Sequence, residues 1–250
     1  MVKETRVQRK NRKVRIYRRI VVLILVLSLL IFWSLRTKLL QIKAIQVDGN
    51  SKITTEEIVE VSEIGHGDSI IKTKVGKAEE SIVQLPYIDT VEIKRKFPGT
   101  IEILVQERVP YMQFEYNYSY AVIDSQAVLL EYSIRRNSDI PLVKGFDWEQ
   151  LKPGEEVLNN GIGNKLQDMF NDEEMEKIVL NFREIVYDEE NNIKINLFNG
   201  VIVEFGPLHN VKYKLKVLQE IIEDVEEKNI PTKMIIMNKG EHPIVVRDER

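Results

Sequence analysis

The sequence predicts an α+β protein: a single N-terminal transmembrane helix, then a small β-α-α-β-β domain, then a larger β-rich domain with a C-terminal helix. Three observations predict it. An uncharged apolar run, Ile20 to Leu35, follows a basic leader. After it, apolar residues switch between alternation and helical 3-4-3 spacing in the order strand, helix, helix, strand, strand. Beyond Val109-Pro110 short alternating runs dominate, until one long amphipathic stretch at Asn210–Lys228. The expected boundaries are a cytoplasmic leader at 1–19, an anchor at 20–40, the small domain at 41–108 and the β domain at 109–250.

The leader carries nine Lys/Arg against one acid, Glu4. Lys/Arg excess stays on the cytoplasmic side, so the N-terminus is expected inside and the domains outside. Sixteen helical residues span roughly 24 Å, against a hydrocarbon core of about 30 Å. Tyr17 and Trp33 suit the two interfaces, and Arg18, Arg19, Arg36 and Lys38 can snorkel. The stretch Trp33–Leu40 has no A-x-A-like cleavage triplet, which favours a retained anchor over a cleaved signal peptide. Formal net charge is −3; the leader carries +8, leaving −11 beyond it. That acidity argues against nucleic acid or a polyanionic wall polymer as the main ligand. The absence of cysteine excludes disulfides, thiolate catalysis and Cys-ligated metals.

In the small domain, Ile42–Val47 alternates and stops at Asp48-Gly49-Asn50. Thr54-Thr55-Glu56-Glu57 is a capping box that starts a short helix. Val75, Ala78, Ile82 and Leu85 mark the apolar face of a second helix, ended by Pro86. Val91–Phe97 and Ile101–Val105 form a hairpin, with Phe97-Pro98-Gly99-Thr100 placed for a type II turn.

In the large domain, strands are expected at Tyr111–Tyr116, Tyr120–Ile123, Val128–Tyr132 and Leu142–Lys144. A weaker helical pattern covers Gly161–Leu180. Ile185–Tyr187, Ile193–Leu197 and Val201–Phe205 read as a meander whose Asn199-Gly200 turn tolerates positive φ at both residues. Val211, Leu215, Leu218, Ile222 and Val225 stripe the long helix. Strands Lys233–Met237 and Ile244–Arg247 follow.

Catalytic patterns are scarce. His66, His209 and His242 have no metal-binding spacing. No G-x-S-x-G or S-x-x-K occurs. Gly65-His66-Gly67-Asp68 lacks a P-loop ending. Asp172-Glu173-Glu174-Met175-Glu176 lacks the spaced ligands of a calcium loop and reads as an acidic helix start. Glu107-Arg108 reads as a structural pair before Pro110. No cofactor, metal or catalytic residue is expected. What remains is surface for proteins: Lys233–Met237 and Ile244–Val246 are both candidate edge strands for pairing with an incoming strand.

Phe97-Pro98-Gly99-Thr100-Ile101 running into Glu107-Arg108-Val109-Pro110 resembles the F-P-x-T/S hairpin and E-R-x-P join of the bacterial FtsQ/DivIB cell-division family. Val47-Asp48-Gly49-Asn50, Leu85-Pro86-Tyr87-Ile88, Ala121-Val122-Ile123-Asp124, and Gly206-Pro207 through Lys214-Leu215 are similar to other family motifs. Ser125-Gln126-Ala127 stand where the family tends to have a glycine after the aspartate, and Ile235-Ile236-Met237 lack an acid the family often carries. The resemblance implies that the small domain is a POTRA domain. It implies a non-enzymatic, single-pass membrane scaffold at the division septum that recruits small bitopic partners of the FtsL and FtsB/DivIC types. It also implies partner contacts at Tyr213, Lys214, Lys233, Ile235 and Met237. The residues themselves leave open a membrane-anchored sensor or enzyme acting on cell-wall fragments, and a POTRA-type chaperone of exported chains.

Overall fold

The computed structural model describes residues 16–29, 40–145, 150–157, 173–188, 192–239 and 242–248. Helix α1 covers 16–29. Among the described residues no helix is long and apolar enough to cross a membrane. The second half of the expected span, with Trp33, and most of the leader lie outside them. The 161–172 part of the expected central helix, with Asp172, does so too.

The chain divides into two compact units, Met1–Ile82 with Val91–Val105, and Val83–Thr90 with Gln106–Arg250. In the first, β1 (Ala44–Asp48), α2 (Thr55–Ser62), α3 (Val75–Ile82), β2 (Ile88–Lys96) and β3 (Thr100–Glu107) follow the predicted order. The strands form a three-stranded sheet, β1-β3-β2, with β1 parallel to β3. Thr54 starts α2 as expected: its side-chain oxygen accepts from Glu57 N at 3.2 Å, satisfying a donor the helix start leaves over. Ile58, Ala78, Ile82, Ile93, Ile101 and Ile103 are buried, so both helices turn their apolar faces inward.

Two turns differ from expectation. Gly99 does not take the positive φ a type II turn needs at its third position, and the Phe97–Pro98 peptide is cis. Glycine is needed there for space, because a Cβ would stand 2.6 Å from Gln41 O. At Asn199-Gly200 only Gly200 is left-handed, at φ +88°. Leu197 N donates to Val201 O and Gly200 N donates to Leu197 O, which makes a three-residue loop closed by a left-handed glycine. The two-residue turn with both φ positive lies instead at Asn117 and Tyr118, between paired Tyr116 and Ser119.

The second unit is built on a nine-stranded mixed sheet, β12-β11-β10-β9-β8-β7-β4-β5-β6. Its strands are β4 (Pro110–Tyr116), β5 (Ser119–Asp124), β6 (Leu129–Ser133), β7 (Leu142–Lys144), β8 (Phe182–Tyr187), β9 (Asn192–Leu197), β10 (Ile202–Pro207), β11 (Thr232–Ile236) and β12 (Ile244–Arg247). The helices among its described residues include α4 (Glu173–Val179) and α5 (Val211–Glu227). β8, β9 and β10 form the expected antiparallel meander. The chain then crosses through α5 to add β11 parallel to β10, as parallel neighbours require. Ile178, Val179, Leu215 and Leu218 pack with Ile185, Ile195, Val203, Phe205 and Ile235 in one core. Gln113 is fully buried, and its amide is satisfied by main chain on both sides: Nε2 donates to Ile140 O at 3.2 Å, and Oε1 accepts from Asn137 N at 3.0 Å.

Candidate functional site at the edge of the large sheet

β11 is an interior strand, hydrogen-bonded to β10 on one side and β12 on the other. Of the two candidate edge strands, β12 is the outer one. Side chains alternate along a strand, so Ile235 faces away from Met234 and Ile236, into the core it shares with Leu215 and Leu218 of α5. Ile235 is 1% exposed and belongs to the core, so it offers no surface to a partner. Met237 packs against the same core, and its N–H donates to Glu204 O at 2.9 Å. Lys233, near the start of the strand, remains exposed.

The opposite face carries what the sequence reading missed. Ile202 pairs with Met234 and Met234 with Val246, while Ile236 pairs with Ile244. Directly paired residues share a face, so these five make a contiguous apolar patch running to the β12 edge. Ile244 is 49% exposed and the other four are partly covered. Met234, Ile235 and Ile236 are all apolar, so alternation carried no signal that could choose the inward one.

On α5, Tyr213 stands 70% exposed. Lys214, its neighbour, turns back onto its own unit. Its Nζ donates to Phe205 O and Pro207 O, both at 3.0 Å, and lies 5.0 Å from the Phe205 ring centroid. Desolvation pushes its pKa below the ordinary lysine value. Lys214 therefore ties the helix to the Gly206-Pro207 bend. Gly206 has φ +79°, and a Cβ there would stand 2.7 Å from Asn238 Cβ.

The structural motif residues divide similarly. Arg108 Nη1 donates to Asp124 Oδ2 at 2.7 Å and to Gln126 Oε1 at 2.8 Å, and its Nη2 lies 3.3 Å from Asp89 Oδ1. Its main-chain N–H donates to Tyr87 O. Pro110 pairs with Asp124 in the sheet. Glu107 ends β3. Desolvation first, and Glu131 and Glu107 second, raise the pKa of the Tyr87 phenol. Phe97 and Pro98 are exposed at the hairpin tip, and Gly99 is buried against Gln41.

Elsewhere, a cavity of about 490 Å³ in the first unit is lined by Ser62, Glu63, Asp68, Lys72, Lys74 and Lys77, among others. Glu63 and Lys77 are 2.6 Å apart, and that hydrogen bond lowers the carboxyl pKa and raises the ammonium pKa. Among the described residues no group of His, Asp or Glu is placed to hold a metal ion.

Residues 40–108 match the family model for the POTRA domain, FtsQ-type. A cell division protein DivIB of Clostridium acetobutylicum is 36% identical over 51% of this chain and 51% of its own length. The DivIB proteins of Clostridium tetani and Clostridium botulinum (strain Loch Maree) are 25% and 27% identical, over 87% and 88% of this chain and 78% and 86% of theirs. The chain thus spans about half the length of the first of these relatives and most of the other two. Residues 40–108 match an FtsQ-type POTRA domain, and most of the chain is similar in sequence to cell division proteins named DivIB.

Proposed function

We propose that the protein is a non-enzymatic, membrane-anchored scaffold of the division machinery. Residues 20–35 hold it in the cell membrane, with the leader inside and both domains outside, at the septum. The β domain docks small bitopic partners of the FtsL and FtsB/DivIC types. The observation that carries this reading is the outer edge of β12, which no other strand pairs among the described residues, flanked on the open face by Ile202, Met234, Ile236, Ile244 and Val246. An incoming strand gains main-chain hydrogen bonds from the edge and side-chain burial from the patch. Exposed Tyr213 and Lys233 are the flanking contacts on the helix side. Membrane confinement raises the effective concentration of each partner, so modest contacts suffice when several act together.

The test is co-purification of the full chain with the bitopic partners. Ile244→Glu puts a charge on the exposed patch and is expected to abolish capture while leaving unfolding unchanged. Ile235→Glu is unsuitable, because it buries a carboxylate in the core and unfolds the unit. Undiminished capture by the Ile244 variant would remove the edge of β12 as the docking site.

A further inference from the structure

Three segments of the first unit meet where the chain enters it. Ile70 N donates to Leu40 O at 3.0 Å, Ile42 N to Asp68 O at 2.8 Å, and Lys43 N to Gly99 O at 2.7 Å. Arg95 fastens the third segment to the second: its Nε donates to Ile70 O at 2.8 Å and its Nη2 to Thr73 O at 2.7 Å. The entry point, the 67–74 loop and the β2–β3 turn therefore form one end of this unit.

That end exposes Phe97 (62%) and Ile71 (46%), two large apolar side chains on separate loops. Lys43, Lys72 and Lys74 are exposed beside them, without an acidic partner among the described residues. Lys96 is exposed too, paired with Glu102. The acid in these segments, Asp68, turns its Oδ2 back to accept from Gly65 N at 2.9 Å. This basic, apolar end contrasts with the net −11 of the chain beyond the leader. Leu40 follows Leu35 by five residues, so it stands no more than about 18 Å from the end of the apolar run.

We propose that this end of the POTRA domain rests on the membrane surface. Phe97 and Ile71 enter the boundary between headgroups and acyl chains, and Lys43, Lys72 and Lys74 face anionic phospholipid headgroups. Large apolar side chains such as phenylalanine and isoleucine gain by burial at that boundary, and cations within a Debye length of an anionic surface are drawn to it. The inference rests on reading residues 20–35 as a membrane anchor.

The chain has no cysteine, so single cysteines can be labelled with an environment-sensitive fluorophore in the full protein. Variants Phe97→Cys, Ile71→Cys, Val26→Cys and Ser51→Cys are reconstituted into vesicles of phosphatidylcholine and phosphatidylglycerol containing nitroxide-labelled lipid. Ser51 lies beyond the far end of β1 from the entry point and serves as the reference. Quenching at 97 and 71 is expected to exceed that at 51 several-fold. It is expected to fall in phosphatidylcholine alone, and in the triple variant Lys43→Gln, Lys72→Gln, Lys74→Gln. Strong quenching at 26 with 71 and 97 no higher than 51 overturns the inference and leaves the anchor standing. No quenching at 26 overturns both. Quenching at 97 and 71 that ignores lipid charge and the triple variant overturns the headgroup contact. Emission shifts at 97 and 71 without lipid quenching indicate a protein neighbour and also overturn the inference.

Discussion

The Arg108 guanidinium and the Asp124 carboxylate are joined at 2.7 Å, with side chains only 16% and 5% exposed. The same carboxylate accepts from the main-chain N–H groups of Gln126 (3.0 Å) and Val128 (2.7 Å) through Oδ1. One acid thus fixes the arginine that precedes β4 and the turn that leaves β5. Removing one partner of a buried pair leaves an uncompensated charge. Arg108→Ala is therefore expected to cost about 3 kcal/mol, and Arg108→Ala in an Asp124→Ala background distinctly less. Urea unfolding of the four proteins of this cycle measures the coupling, and additive losses would deny it.

Gly49 has φ +92°, and a Cβ there would stand 2.0 Å from Val105 O. Left-handed backbone costs an L-residue about 1–2 kcal/mol before the clash is counted. Gly49→Ala is expected to destabilise the first unit by at least about 2 kcal/mol. The check is amide hydrogen exchange in α2 and α3, where protection should fall together.

Tyr118 has φ +62° and is 105% exposed at the tip of the β4–β5 turn. A turn with both central φ positive favours glycine there, and the tyrosine side chain is wholly in solvent. Tyr118→Gly should raise stability by about 1 kcal/mol. Thermal unfolding that is unchanged or lower would show that the side chain has a packing role.

Glu184 is held below the ordinary carboxyl value of 4.5, first by its hydrogen bond with Lys144 and then by Asn196, with desolvation opposing. Lys144 Nζ lies 2.6 Å from its Oε1 and Asn196 Nδ2 donates to its Oε2 at 3.0 Å. A carboxyl with a depressed folded pKa contributes stability that is fully present above the unfolded value and is lost as pH falls through the folded one. The difference in urea midpoint between the wild type and Glu184→Gln should therefore be constant near neutral pH and shrink below 4.5. A difference that persists at the lowest pH would contradict the sign.

The order of elements was legible because period and turn chemistry agreed from residue to residue. Thr54 before an acidic turn, Pro86 after an apolar stripe, and the Asn210–Lys228 amphipathicity each constrain the backbone locally. Facing was legible only where polar residues alternate with apolar ones, as along Ile193–Leu197. In Met234-Ile235-Ile236 alternation is silent, and the buried side was settled by where α5 lands, a tertiary fact. Lys214 was expected at a partner contact through the resemblance alone; the carbonyls of Phe205 and Pro207 that receive it come from a bend seven to nine residues away, which its place on the helix does not disclose. Arg108 and Asp124 are sixteen residues apart, and each was recognised as a motif without the other being recognised as its partner.

From β7 outward the large sheet runs β7, β8, β9, β10, β11, β12, which is chain order. A chain made from its N-terminus can lay each of these strands against a neighbour that is already complete. The growing boundary moves outward one strand at a time, and no gap has to be held open for a later arrival. Of the two end strands of this sheet, β6 and β12, the one at the proposed docking edge is accordingly the last made of the described strands. On the proposed function, a partner engages this edge only once synthesis has passed every other described strand, so docking follows the filling of the sheet.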